Sequence, residues 1–222
     1  MLHKFVPIKL NISIINKRIR YLGSYKLLII NIFIGMKSTF KTIITSMALF
    51  AIILSANAQK SFTLDAKSNF SVLGTSTMHD WEMVSTAGTG AATLTVANSK
   101  LEDINALTIN LTAETIKSEK KSMDKVAYEA LKTDKFKNIK YVLKNAEKVN
   151  ETTWNLTGTY TIAGVSKELK TQVKTTVTGN SVSMQGSNKI TFTQFGMKSP
   201  TAMFGAIKTG EDLTIKFNIK FN

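Results

Sequence analysis

From Leu213 to Asn222 the chain alternates without a break. Leu213, Ile215, Phe217, Ile219 and Phe221 are apolar, and Thr214, Lys216, Asn218, Lys220 and Asn222 between and after them are polar. Successive side chains of a strand point to opposite faces, so this segment buries one whole face and wets the other. The same pattern places Leu107, Ile109, Leu111 and Ala113 against Thr108, Asn110 and Thr112. It also places Trp154, Leu156, Gly158, Tyr160 and Ile162 against Asn155, Thr157, Thr159 and Thr161. Threonine recurs on the polar side, where a β-branched side chain suits an exposed pleated surface.

Further strand-like runs are Ser61–Leu64, Phe70–Thr75, Ala91–Val96, Ile139–Lys144, Leu169–Val177, Ser181–Gln185 and Lys189–Thr193. Turn signals separate several of them, at Ala163-Gly164, Gly179-Asn180 and Gly186-Ser187-Asn188. One stretch has helical spacing instead: in SEKKSMDKVAYEALKTDKF, Val126, Ala127, Ala130 and Leu131 recur three or four apart. A short helix is predicted over about Ser122–Lys132, with Ser122 or Asp124 as its cap. The fold class is all-β and antiparallel. One-sided strands must close into a barrel or stack as two sheets, and alternation alone does not choose between them. The choice bears on function, because a sandwich fills its own interior and a barrel of about eight strands has room for one small ligand.

The first 58 residues have a different chemistry. From Met36 the chain reads MKSTFKTIITSMALFAIILSANAQK: basic at Lys37 and Lys41, apolar from Ile43 to Leu54, then Ala56-Asn57-Ala58. This is the layout of a secretory signal with cleavage expected after Ala58. The apolar run falls short of the about 20 residues a bilayer-spanning helix needs, so no transmembrane anchor is expected. Residues 1–35 precede a complete signal and are rich in types that A/T-rich codons encode. Met36 is therefore the expected true start, and residues 59–222 the expected folded domain.

Removing that segment changes the charge argument. The whole chain carries a formal charge of +14, but 8 basic and no acidic residues lie in the first 58, so the remainder stands at +6. No basic block or basic helix concentrates this charge, and nucleic acid is set aside as a partner. Both arginines, Arg18 and Arg20, fall in the removed segment. An anionic ligand would then be met by lysines or backbone amides rather than by a planar guanidinium fork. Cysteine is absent, which excludes disulfides, thiolate nucleophiles and a lipid anchor on a cysteine. The expected location is periplasmic or secreted.

Five stretches in order carry a family likeness: GTSTMHDW, MDKVAYEALKTDKFKNIKY, LTGTYTIAGVSKELKTQV, ITFTQFGMKSP and a final DLTIKFNI. Together they resemble the YceI-like family of exported lipid- or polyisoprenoid-binding proteins, across nearly all of residues 60–222. The resemblance implies a lipocalin-like antiparallel β-barrel whose lumen takes the long apolar tail of an isoprenoid quinone or polyprenyl lipid. It implies no catalysis. Lys137 stands where many relatives have proline. Ser122, Met123, Asp124 and Lys125 stand where some relatives have an Arg-Asp-x-His stretch, which implies that this chain holds a head group differently.

Within GTSTMHDWEM, His79 is the sole histidine outside the expected leader. As a general base it would need an orienting carboxylate, and Asp80, adjacent on a strand, would point to the opposite face. No G-x-S-x-G nucleophile motif is present, and one histidine with scattered carboxylates makes no evident metal site. Beside an enzyme that assembles a site around His79 from distant strands, two readings remain open. His79 and Trp81 share a strand face as ordinary packing, or that face looks into the barrel near its mouth and His79 bonds a ligand's polar end. Leu107, Ile109, Leu111, Tyr141, Trp154, Leu156, Tyr160, Phe192 and Phe217 are core residues by pattern, and the resemblance makes them ligand wall. Phe195, Met203 and Phe204 lie in the turn-like FGMKSPTAMFG stretch, where they either close one end of a barrel or fill a core corner. Lys117, Lys120, Lys121 and Lys125 form a solvated surface or attract anionic lipid heads. The expected function is non-catalytic lipid binding, with a homodimer left open. The alternative is an exported interaction module with a solid core.

Overall fold

The structure is a computed structural model that describes residues 59–222. The expected leader, the start at Met36 and cleavage after Ala58 lie outside the described residues. Eleven strands follow in chain order: β1 Gln59–Thr63, β2 Asn69–Ser76, β3 Trp81–Ser85, β4 Thr89–Ala97, β5 Lys100–Thr112, β6 Asn138–Lys148, β7 Thr153–Ile162, β8 Val165–Thr178, β9 Ser181–Thr191, β10 Thr201–Ala202 and β11 Ile207–Phe221. Among the described residues one α-helix, α1 (Lys121–Leu131), lies between β5 and β6.

All strand pairs are antiparallel, and the sheet runs β1-β4-β5-β6-β7-β8-β9-β11-β2-β3, with β10 added to β11. Its two edges are stitched at opposite ends. At one end β1 meets the end of β11, where Thr63 and Asn222 exchange backbone hydrogen bonds of 2.9 and 3.0 Å. At the other, Val84 of β3 and Lys117, beyond β5, exchange two bonds of 2.8 Å. Curling the sheet this way leaves few unpaired edge groups and yields the lipocalin-like barrel expected. The expectation of about eight strands is corrected to eleven, because β3 and β10 are too short to show alternation.

The alternation read from sequence is the burial seen. Trp154, Leu156, Gly158, Tyr160 and Ile162 are buried along β7, and the residues between them are half-exposed. Gly186-Ser187-Asn188, expected as a turn, instead runs straight through β9, with Gly186 opposite Phe217 on β11 and Val173 on β8. Glycine is needed there because a side chain would come within 2.6 Å of Phe217 Cζ.

The helix begins one residue earlier than expected, and its cap is Lys120, which makes no side-chain capping bond. Neither Ser122 nor Asp124 caps it. Asp124, in the first turn, is buried and accepts hydrogen bonds from the Ser118 amide (2.6 Å) and hydroxyl (2.7 Å), tying the preceding loop to the helix. The helix stops at Lys132, whose left-handed conformation (φ 55°) ends the ladder. Tyr128 anchors it by donating to the carbonyls of Glu114 and Ile116.

The close-packed core sits at the end stitched by β1 and β11. Phe62, Leu94, Leu101, Trp154, Val173, Val182, Met184 and Phe221 fill it, with almost no exposure. Two smaller clusters line the other end. One is built on Tyr160, Ile162, Ile190, Phe192, Phe195, Met197 and Leu213, and the other on Met83, Leu111 and Ile116.

Candidate functional site

Between the closed end and α1 lies a cavity of about 700 Å³. That volume falls among the about 300 to 1,000 Å³ of small-molecule sites. Leu107, Ile109, Leu156, Met184 and Ile219 border it from the closed-end core. Met123, Val126, Ala127, Ala130 and Leu131 of α1 line it as well, so the helical spacing read from sequence is a face turned to the lumen. Ser76, Met78, His79, Pro200 and Met203, from the β2–β3 turn and the segment before β11, complete the lining. Nearly all of it is hydrocarbon.

Aromatic rings keep the walls thin. Trp81 of β3 occupies the space a side chain at Gly74 of β2 would need, and Tyr141 of β6 does the same over Gly158 of β7. Phe217 of β11 repeats the arrangement over Gly186. Glycine on the inner face lets each ring settle against the sheet instead of projecting inward. The indole of Trp81 is further fixed by its Nε1–H, which donates to the Thr75 carbonyl at 3.0 Å.

A short polar chain interrupts the hydrocarbon. Tyr160 Oη and Thr171 Oγ1 are 2.8 Å apart, and the Asn188 amide donates to the same Thr171 oxygen at 2.8 Å. Beside it the Tyr141 ring meets Tyr160 edge-on, with centroids 4.8 Å apart, and the Tyr141 hydroxyl is buried with no protein partner. Burial pushes the Tyr141 hydroxyl pKa up, with the Tyr160 phenol adding to it. Burial also pushes Tyr160 up, against the hydrogen bonds from Thr171 and Asn188. Both phenols are therefore neutral donors at ordinary pH.

The family model of the YceI-like domain matches residues 58–221. The chain belongs to the YceI-like family. Burkholderia cenocepacia BcnA is similar in structure, with a TM-score of 0.60 at 15% identity, over 71% of this chain and 98% of that one. So is a polyisoprenoid binding domain from Saccharophagus degradans implicated in plant cell wall breakdown, with a TM-score of 0.56 at 10% identity, over 72% of this chain and 97% of that one. At such identities the likeness speaks for the fold. No curated protein matches in sequence.

In this YceI-like chain the residues singled out from sequence divide. His79, Trp81, Leu107, Ile109, Leu111, Tyr141, Leu156, Tyr160, Phe192, Met203 and Phe217 border the cavity. Three stand elsewhere. Trp154 packs in the closed-end core with about 1% exposure, because β7 enters the barrel at that end. Phe195 is wholly buried behind the wall among Ile162, Phe192 and Met197, filling a corner rather than closing an end. Phe204 is fully exposed and does neither. The sequence reading missed the lumen face of α1 and Met78, Thr171, Met184 and Met197. The three-and-four spacing in α1 carried that signal, because an apolar helix face must be buried against something.

His79 is not on a strand. It sits exposed in the turn before β3, where its amide donates to Ser76 Oγ (3.3 Å) and its carbonyl accepts from the Ser76 amide (3.1 Å) and hydroxyl (2.8 Å). Its Nδ1 lies 2.7 Å from the Asp80 carbonyl, so Nδ1 carries the hydrogen. A neutral His79 then offers Nε2 as an acceptor, suited to a ligand hydroxyl. It donates to a carbonyl or phosphate oxygen only when protonated. The ring nitrogen bonds the Asp80 backbone rather than its side chain, and no carboxylate among the described residues hydrogen-bonds the ring.

Proposed function

We propose that this chain is a non-catalytic binding protein that encloses an isoprenoid or other long-chain lipid, such as a quinone or a polyprenyl lipid, and that it acts in the periplasm or outside the cell. The observation that carries the reading is the roughly 700 Å³ apolar lumen between a solid closed end and α1. A hydrocarbon tail gains about 0.8 kcal/mol for each methylene taken from water, which makes such a lumen a binding site without any further device. The polyisoprenoid-binding relative from Saccharophagus degradans supports the same ligand class. Export rests on the leader read from Met36 to Ala58.

The polar inventory supports a neutral head. No arginine lies in residues 59–222, and the polar chain inside the lumen, Tyr160 with Thr171 held by the Asn188 amide, is uncharged, while Lys120 and Lys140 also border the cavity. His79 at the rim adds an acceptor for a hydroxyl in its neutral form. Nothing in this set builds a nucleophile, an oxyanion hole or an oriented general base.

Organic-solvent extraction of the purified protein, followed by mass spectrometry, tests the proposal. A co-purified long-chain lipid in near-stoichiometric amount is expected. Consistent absence of lipid, together with failure to load added prenyl lipids, would replace the proposal with a surface interaction module.

A further inference from the structure

Three large apolar side chains stand out into solvent at the open end of the lumen. Met78, on the β2–β3 turn, is 67% exposed, Met203 is 71% exposed, and Phe204 beside it is fully exposed. The two segments that carry them are stitched together: the Thr77 amide donates to the Lys208 carbonyl at 3.0 Å, and the Lys208 amide to Thr77 Oγ1 at 3.2 Å. Met78 and Met203 also border the cavity, so the apolar lining continues outward onto these tips. Met203 and Phe204 both adopt left-handed φ values of 52° ahead of Gly205, a turn that holds the phenyl ring away from the barrel.

Several lysines stand at this end without an ion-pair partner among the described residues. Lys120 borders the cavity, Lys208 sits between the two stitched segments, and Lys121 and Lys125 lie in the first turns of α1. All four ion pairs among the described residues engage other lysines: Lys100 with Glu151, Lys144 with Glu168, Lys148 with Glu102 and Lys170 with Glu147. The nearby carboxylates Asp124 and Glu211 are occupied by hydrogen bonds from Ser118 and from Ser199 and Thr193. Asp80, Glu82 and Glu119 are acidic side chains next to cavity-lining residues in sequence.

We infer that this open end docks on an anionic phospholipid bilayer. Phe204, Met203 and Met78 enter the headgroup boundary, and Lys120 and Lys208 meet the phosphates around them. Apolar tips beside lysines that form no ion pair among the described residues are the chemistry of an interfacial anchor. Continuity between tips and lumen places bilayer hydrocarbon against lumen hydrocarbon, so a lipid tail crosses without passing through water. The inference extends the proposed function, but it is read from the surface, and its test does not depend on what the lumen holds.

The test is sedimentation of protein purified from cells expressing the full chain, with vesicles of phosphatidylcholine plus phosphatidylglycerol and of phosphatidylcholine alone. The expected result is binding to the mixed vesicles that weakens on the neutral ones and with added salt. The double substitution Met203→Ser with Phe204→Ser should lower partitioning about tenfold or more, as loss of two buried apolar side chains requires. Its circular dichroism and unfolding midpoint should match the wild type. Lys208→Glu should weaken binding to the mixed vesicles alone. Absence of vesicle binding by the wild type, or equal binding by the double variant, overturns the inference. So does a self-association that the double variant abolishes while vesicle binding is unchanged, because a second copy would then be the occupant. Lipid found by extraction in a protein that ignores vesicles would overturn the docking and leave the lumen reading standing.

Discussion

Trp81 and Gly74 face each other across the β2–β3 pair, and the indole fills the space where a side chain at Gly74 would stand. Gly74→Ala forces the ring off the wall, toward the lumen or out to solvent, and breaks the bond from Trp81 Nε1 to the Thr75 carbonyl. The expected outcome is a shift in tryptophan emission, together with a loss of prenyl-lipid affinity of about 1 to 2 kcal/mol as the ring takes ligand volume. Unchanged emission and affinity would mean that the wall yields elsewhere.

Trp154 tests where the lumen ends. It lies in the closed-end core, so Trp154→Ala should cost about 3 to 5 kcal/mol of stability, read as a lower midpoint in denaturant. Affinity per folded molecule should stay within about twofold, a few tenths of a kcal/mol. Loss of affinity with stability retained would place Trp154 against the ligand.

That residue also shows how far the sequence could be read. Trp154 and Leu156 are two apart on one face of β7, and alternation treats them alike, yet of these two core residues Leu156 alone borders the cavity. Alternation encodes which face is buried. Depth along the barrel axis depends on which end of each strand reaches the closed end, and that is settled by pairings as distant as Thr63 with Asn222. Long one-sided strands such as β7 and β11 were legible for the first reason. The five residues of β3 were too few to show a period. Gly186-Ser187-Asn188 misled because glycine there serves the ring of Phe217 across the sheet, a contact that no local pattern displays. The exposed Phe204 was legible as unusual, but not as exposed, since composition says only that a turn carries apolar area.

His79 sits in an exposed turn, and the fold does not lean on its imidazole. His79→Ala should leave the unfolding midpoint unchanged and weaken binding of a prenol by about 0.5 to 1.5 kcal/mol, one hydrogen bond's worth. A matched prenyl hydrocarbon without the hydroxyl should bind both proteins equally. Equal loss for both ligands would assign the effect to packing at the rim.

Glu211 fastens the segments flanking the rim to β11. Its carboxylate accepts from Ser199 Oγ (2.6 Å), Thr193 Oγ1 (2.6 Å) and the Thr193 amide (2.7 Å). The Ser199 bond, then those from Thr193, hold its pKa below the ordinary value of 4.5. A depressed carboxylate stabilises fully above its unfolded value and loses that contribution as pH falls through the folded one. The clasp should therefore be intact at neutral pH, lose its stabilising contribution as pH falls below about 4.5, and open as pH falls through the lower folded value. Hydrogen exchange at the Thr193 amide, corrected for the intrinsic pH dependence, should lose protection in that window. In Glu211→Gln the protection should already be reduced at pH 7, and a pH-independent protection in the wild type would contradict the assignment.

The most direct measurement is the affinity of a prenyl-chain lipid for wild type and Ile109→Trp. Ile109 borders the cavity on β5, opposite Tyr141 on β6. In a hollow barrel the indole occupies space that ligand methylenes would fill, each worth about 0.8 kcal/mol, so affinity should fall by about tenfold or more. The delipidated variant should unfold at the same denaturant concentration as the wild type or higher. Absence of prenyl-lipid binding by the wild type, with the variant destabilised by about 1 to 3 kcal/mol as in a solid core, would contradict the account.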